Sequence, residues 1–290
     1  SPIGNRFLPA RRWPPSCDMF AKSEQHSGHR LATWIKDMAN AGGTGGLNWH
    51  VHAARSLSRW LPTREALAQF LSKTPITHSH LVLIGCSAGW MLPTPWLAKF
   101  ERIEVYDIDP LVPWLFGLRH GRWLKAQGIE VQHHRQDAIA GLPGLLKQHP
   151  QACVWFDNVL GQLGVRLGDE DMAEKQLNQL KQVLQGRSWG SVHDLYSGAI
   201  DTTMALPAYK NTSWVRMNDG PEETTRIQLG DTVLPHAEAA QQLLARLNAM
   251  GVWHDHATQS VFPVGTECTL MPWAFKPAYW HWLQAAWVTP

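Results

Sequence analysis

The chain has no run of about 18 apolar residues and no basic-then-apolar leader, so neither a membrane span nor a signal peptide is expected. One-sided charge is missing as well. Twenty-six Lys and Arg stand against 24 Asp and Glu, without a cluster of five or six basic residues, which argues against a general nucleic-acid binder but not a specific one. Cysteine is scarce: Cys17, Cys86, Cys153 and Cys268 lie too far apart for a zinc ribbon or a disulfide-dense scaffold. Reduced thiols and a cytoplasmic setting follow as expectations. No internal repeat is visible. What the 290 residues do hold is 44% apolar content, enough for a sizeable core, and 16 tryptophans, some of them expected to line a pocket.

Residues 1–75 read as a helical N-terminal subdomain. "SGHRLATWIKDMANAGG" carries Leu31, Trp34, Ile35 and Met38 on one side, Asn48 is a candidate cap for "WHVHAARSLSRW", and Thr63 for "REALAQFLSK". From Leu81 the rhythm changes. Short apolar runs ("LVLIG", "RIEVYDID", "IEVQHHRQD", "ACVWFDNVL", "SWGSVHDLY") alternate with helical stretches, the pattern of right-handed βαβ units. The helix candidates begin at Asp109 and Pro110, span Asp169 to Gln185, and occupy "LPHAEAAQQLLARLNAMG". "VWHDHATQSVF" and "TECTLMPWAFKPAYWHWLQAAWV" suit two closing strands. The expectation is therefore an α/β domain over 76–290: a doubly wound, mostly parallel seven-stranded sheet with helices on both faces, plus the helical N-terminal cap. Ser197 to Leu234 is long for a connection and is read as an insertion, with a hairpin around Asn218, Asp219 and Gly220. It is either an edge ornament or a lid over the carboxyl edge of the sheet.

Ligands of open parallel sheets bind beyond the carboxyl ends of the strands, near the reversal of strand order. The first run breaks into "GCSAG", where Gly85 and Gly89 allow a sharp turn and close ligand approach. Later runs end in Asp107 and Asp109, Gln136 and Asp137, Asp157 and Asn158, and His193 and Asp194. Asp107, 22 residues after Gly85, is placed to accept both hydroxyls of a nucleoside ribose. Four of five strand ends carrying Asp behind a glycine loop go beyond what solubility requires.

Leu81 to Leu163 resembles the core of the class I S-adenosylmethionine-dependent methyltransferases. The resemblance implies that Gly85, Cys86, Ser87 and Gly89 pass under the methionine part of S-adenosyl-L-methionine. It implies that Asp107 holds the ribose, Ile108 lies beside the adenine, and Asp137 and Ala138 hold the adenine amine. Asp157 and Asn158 of "FDNVLGQ" would face the methionine moiety and the acceptor. The chain departs from the pattern twice: Leu83 stands where an acidic residue is usual, and Ser87 where a central glycine is usual. Something else must then bind the cofactor's ammonium group.

Methyl transfer relies chiefly on proximity, with Asn158, His193 and Asp194 as the candidate catalytic residues for a protonated acceptor. Trp90 and Tyr106 are candidate aromatic faces for the cation. His50 and His52, His78 and His80, and His254 and His256 form His-x-His pairs, and His133 and His134 are adjacent. No local spacing supplies a third ligand, so no metal site is expected. A small or peptide-like acceptor in an aromatic pocket fits the balanced charge and abundant Trp. Two alternatives stand beside this reading: a catalytically inactive methyltransferase-like scaffold, and a nicotinamide-dependent oxidoreductase, whose loop would carry glycines where Ser87 and Trp90 stand.

Overall fold

The computed structural model describes residues 46–163, 170–205 and 211–290. The expected helix in "SGHRLATWIKDMANAGG" lies outside them. Two helices of the N-terminal cover are described. Helix α1 (Gly46–Ser56) turns Gly46, His50, Ala53 and Ser56 inward, and α2 (Leu61–Ser72) buries Thr63, Ala66, Leu67 and Leu71. Neither expected cap holds. Asn48 lies inside α1, and Thr63 lies inside α2, where its hydroxyl donates to the Pro272 carbonyl at 2.9 Å. Pro62 does not break that helix but opens it, where its missing N–H costs nothing.

Strands β1 (His80–Ile84), β2 (Arg102–Tyr106), β3 (Glu130–His134), β4 (Cys153–Asp157) and β5 (Trp189–Ile200) are the five runs read from the sequence. They pair in parallel in the order β3-β2-β1-β4-β5. Between them come α3 (Thr94–Leu97), α4 (Val112–Phe116), a π-helical turn (Gly117–Gly121), α5 (Arg122–Ala126), α6 (Leu142–Gln148) and α7 (Glu170–Val183). Burial on both faces explains the unbroken aliphatic runs. Leu81 and Leu83 meet Trp60, Leu67, Trp96 and Phe116 on one side. Val82 and Ile84 meet Leu142, Leu145, Leu177 and Leu180 on the other.

The rest of the sheet corrects the expectation of seven mostly parallel strands. Among the described residues eleven strands form one mixed sheet, with four parallel pairings and six antiparallel ones. After β5 come β6 (Thr212–Arg216), β7 (Arg226–Leu229), β8 (Thr232–Pro235), helix α8 (His236–Ala245), β9 (Ala249–Asp255), β10 (Glu267–Lys276) and β11 (Tyr279–Val288). "VWHDHATQSVF" does not join the closing pair. Its β9 lies against the far half of β5, Tyr196 opposite Asp255, while β10 and β11 form the closing hairpin from a single stretch.

The expected turn around Asn218 to Gly220 does join two antiparallel strands, with Trp214 opposite Leu229. The insertion's described part lies at the edge of the sheet. Strand β6 adds to the outer edge of β10, and β7 and β8 continue outward, so the described part of the insertion widens the sheet. None of it lines the cleft described below. Six of the sixteen tryptophans, Trp60, Trp96, Trp155, Trp189, Trp214 and Trp282, are fully buried.

Candidate functional site

The chain runs outward from β1 through β2 to β3, then crosses to β4 and β5 on the other side of β1. The loops leaving β1 and β4 therefore part at the carboxyl edge, where an open α/β sheet forms its crevice. A cleft of about 1040 Å³, open to solvent, lies there. Gly85, Cys86, Ser87, Asp107, Ile108, Asp137, Ala138, Asp157 and Asn158 all line it, together with Gln136.

Gly85 adopts φ +67°, and a Cβ there would lie 2.8 Å from Val159 of the β4 loop. Close approach of the two loops thus requires glycine. Ser87 is also left-handed, at φ 53°. Its N–H donates to Asp107 Oδ2 at 2.8 Å, while Asp107 Oδ1 accepts the Asp109 N–H at 2.9 Å. The carboxylate at the end of β2 therefore ties the glycine loop to its own, and each oxygen keeps a further lone pair. Burial raises its pKa, and the two N–H bonds offset this only in part. Asp157 is 8% exposed; burial, with the Asp107 charge adding, lifts its pKa to about 7. Asp137 Oδ1 accepts the Ile139 N–H at 3.0 Å and so shapes the turn after β3.

Gly89 is a correction. It does not line the cleft; at φ +63° it faces away, and a Cβ would lie 2.7 Å from His120 Nε2. His120 Nε2 lies 3.1 Å from the Gly89 carbonyl, and its Nδ1 lies 2.7 Å from the Thr94 hydroxyl. Thr94, at the start of α3, thus orients that histidine. Gly89 supports the loop from behind.

Helix α1 of the N-terminal cover contributes one wall of the cleft. Trp49 Nε1–H donates to Ser87 Oγ at 3.0 Å, and Trp49 lines the cleft. Trp90 Nε1–H donates to His50 Nδ1 at 3.0 Å. Indole nitrogen only donates, so Nδ1 is the acceptor and His50 Nε2–H is left to donate to Asp109 Oδ2 at 3.0 Å. The Gly46 N–H reaches the same oxygen. Two residues on a helix stand about 200° apart, so His52 does not join His50. Its ring packs on Phe275 at 4.8 Å instead. The local signal was an inward spacing of Gly46, His50 and Ala53, which marks a face but not its partners.

At the β5 end the candidate catalytic residues separate. Asn158, at φ 55°, lines the cleft and accepts the Asp194 N–H on Oδ1 at 3.2 Å. His193 does not reach the cleft and is fully buried. Gln284 Nε2 donates to its Nε2 at 3.2 Å, and its Nδ1 lies 2.9 Å from Ser191 Oγ. Burial pushes its pKa down to about 3, so it is a neutral structural imidazole, contrary to the expectation of a base. Asp194, also off the cleft lining, accepts His281 Nδ1–H at 2.7 Å. Burial alone would raise its pKa, but the His281 contact outweighs this and holds it at about 2. His281 Nε2 is buried without a hydrogen-bond partner among the described residues, with Trp273 and Phe275 rings at 5.1 and 4.9 Å. Trp273, its cross-strand partner, and Leu283, two residues along β11, both line the cleft.

Tertiary contacts also supply third ligands that local spacing lacks. His80, Glu104 and His149 gather on the β1–β2 face, and Asp194, His256 and His281 at the end of β5. Each carboxylate is already engaged. Glu104 accepts from Arg102 and His134, and Asp194 accepts from His281.

No family model matches the chain, and no curated protein matches it either. Solved structures resemble it in fold. The magnesium protoporphyrin IX methyltransferase ChlM from Synechocystis PCC 6803, with bound SAM, is 12% identical over 88% of this chain and 95% of that one, at a TM-score of 0.40. The N-methyltransferase NodS from Bradyrhizobium japonicum WM9, with S-adenosyl-L-homocysteine, is 17% identical over 59% and 74%, at 0.31. A Rhodobacter sphaeroides structure described among zinc-dependent alcohol dehydrogenases is 13% identical over 43% of this chain and 45% of that one, also at 0.31. None of these three TM-scores reaches 0.5, so the functional reading is built on the cleft alone.

Proposed function

We propose that the chain transfers a methyl group from S-adenosyl-L-methionine to a small-molecule or peptide-like acceptor. One observation carries the reading. Asp107, Asp137 and Asp157, from the ends of three different strands, converge with the Gly85–Ser87 loop on one cleft at the strand-order reversal. Asp107 has lone pairs left for two ribose hydroxyls, Ile108 is an exposed apolar surface for the adenine, and Asp137 with Ala138 forms the rim beside it. With Leu83 buried in β1, Asp157 is the carboxylate inside the cleft suited to the ammonium group. The bound cofactor supplies an activated methyl group, and the chain's own task is orientation and exclusion of water.

Trp49, Val192, Trp273 and Leu283 form an apolar wall beside Asn158 and Gln162, and this is the proposed acceptor end. His281 does not line the cleft either, but it keeps a free ring nitrogen next to two residues that do, Trp273 and Leu283, and is the proposed base for an acceptor that must lose a proton. Asp194 fixes Nδ1–H and leaves the Nε2 lone pair free.

Calorimetry with S-adenosylhomocysteine tests the reading. Asp107→Ala removes a charged hydrogen-bond acceptor worth about 1.5 to 3 kcal/mol, so affinity should fall at least about tenfold while the fold survives. Binding of a dinucleotide in place of S-adenosylhomocysteine would favour the oxidoreductase, and binding of neither the scaffold.

A further inference from the structure

Helix α4, the π-turn and α5 form one helical stretch over 112–126 that buries Val112, Phe116, His120 and Leu124 at a spacing of four. Its outer side is unusual. Trp114 is 64% exposed, Leu118 62% and Trp123 45%, so three large apolar side chains stand in water on one short element. Arg122 and Lys125 are exposed among them, and Arg119 is half-buried with its guanidinium 4.3 Å from the Trp90 ring centroid. No residue in the stretch "VPWLFGLRHGRWLKA" is acidic. Ile108, 45% exposed on the lip of the cleft, extends the apolar surface toward the site.

The geometry points to an anionic bilayer surface as the partner of this face. Trp and Leu between Arg and Lys are the side chains that settle at a headgroup boundary, the apolar parts below it and the cations at phosphate level. Fifteen residues span only about 22 Å, so the helix lies in the plane and does not cross. Among the described residues no helix is long and apolar enough to cross a membrane. A second copy of the chain is the rival occupant, and charge decides against it. An isologous contact sets the same patch against itself, so this face would bring Arg and Lys together with no acidic residue on the helix to neutralise them. Anionic lipid supplies the missing charge, and each basic residue near such a surface adds to the attraction.

Flotation of the full chain with vesicles of phosphatidylcholine alone, and of phosphatidylcholine with phosphatidylglycerol, tests the inference. The chain should float with the phosphatidylglycerol vesicles, stay behind with the neutral ones, and be released by salt. Trp114→Ser with Leu118→Ser, and separately Arg122→Glu with Lys125→Glu, should each weaken partitioning on the order of tenfold or more. These positions are solvent-exposed, so an unchanged melting temperature confirms that each variant is folded. Absence of binding to the anionic vesicles overturns the proposal, as does equal binding by either folded variant. A concentration-dependent dimer that Trp114→Ser with Leu118→Ser dissociates, in a chain that ignores vesicles, assigns the face to a second copy instead.

Discussion

At Asp157 the demands of folding and of the proposed function oppose each other. Burial, with Asp107 adding, raises its pKa from 3.8 to about 7, so the folded state holds this proton more tightly than the unfolded chain. The resulting stability is fully present below the unfolded pKa and is lost as pH rises through about 7, where the buried carboxylate becomes a cost. A shift of about three units corresponds to about 4 kcal/mol when complete. Asp157→Asn keeps the shape and removes the charge. Relative to the natural chain, the variant should therefore gain about 4 kcal/mol between about pH 4 and pH 8, whatever fixed penalty its amide carries. Urea unfolding at the two pH values measures this difference of differences. Parallel pH dependences in the two proteins would refute the burial argument.

The same substitution bears on the ligand. A cation beside Asp157 favours the carboxylate, so binding below about pH 7 must release a proton, and affinity should decline as pH falls through that range. Calorimetry of S-adenosylhomocysteine in buffers of different ionisation enthalpy reads the proton directly. In Asp157→Asn both the release and the pH dependence should vanish along with much of the affinity. Retained proton release in the variant would place the titrating group elsewhere and leave the ammonium without its assigned partner.

Strands β1 and β4 were legible because burial on both faces imposes unbroken apolar runs, a constraint each strand carries in its own residues, whereas the half-exposed edge strand β3 carries only the apolar start of its run. The strand ends were legible for the same reason, since a polar residue after such a run stands at the sheet's edge. Partners across the fold were not. His281 lies 87 residues from Asp194, and nothing in "YWHWLQ" singles it out, whereas His193 was read as a strand end although β5 continues to Ile200. The insertion shows the same limit. A turn at Asn218 to Gly220 predicts that its flanks pair with each other, but which edge the hairpin joins is decided by β10, about 40 residues later. Gly89 shows it most locally: its left-handed φ fits the residue type, whereas His120, the group that forbids a side chain, comes from another element.

Three further outcomes follow from these contacts. Gly89→Ala should lower stability by about 1 to 3 kcal/mol, through a left-handed φ and a Cβ against His120, and should weaken cofactor binding only by loosening the loop; a variant of unchanged melting temperature that no longer binds S-adenosylhomocysteine would put Gly89 in the cleft after all. Asp194 has its pKa held at about 2, below the ordinary 3.8, so its stabilisation is present above the unfolded value and is lost as pH falls toward 2. Acid unfolding of Asp194→Asn should accordingly show a shallower dependence over that range than the natural chain. The last concerns the base. His281 Nε2 is the lone pair left without a partner beside the apolar wall, while both nitrogens of His193 are engaged. With an acceptor whose nucleophilic atom carries a proton, His281→Asn should lower the single-turnover rate by about 100-fold or more, yet leave S-adenosylhomocysteine affinity unchanged. Folded His193→Asn should leave the rate as it is, and a loss of that size in His193→Asn alone would return the base to β5.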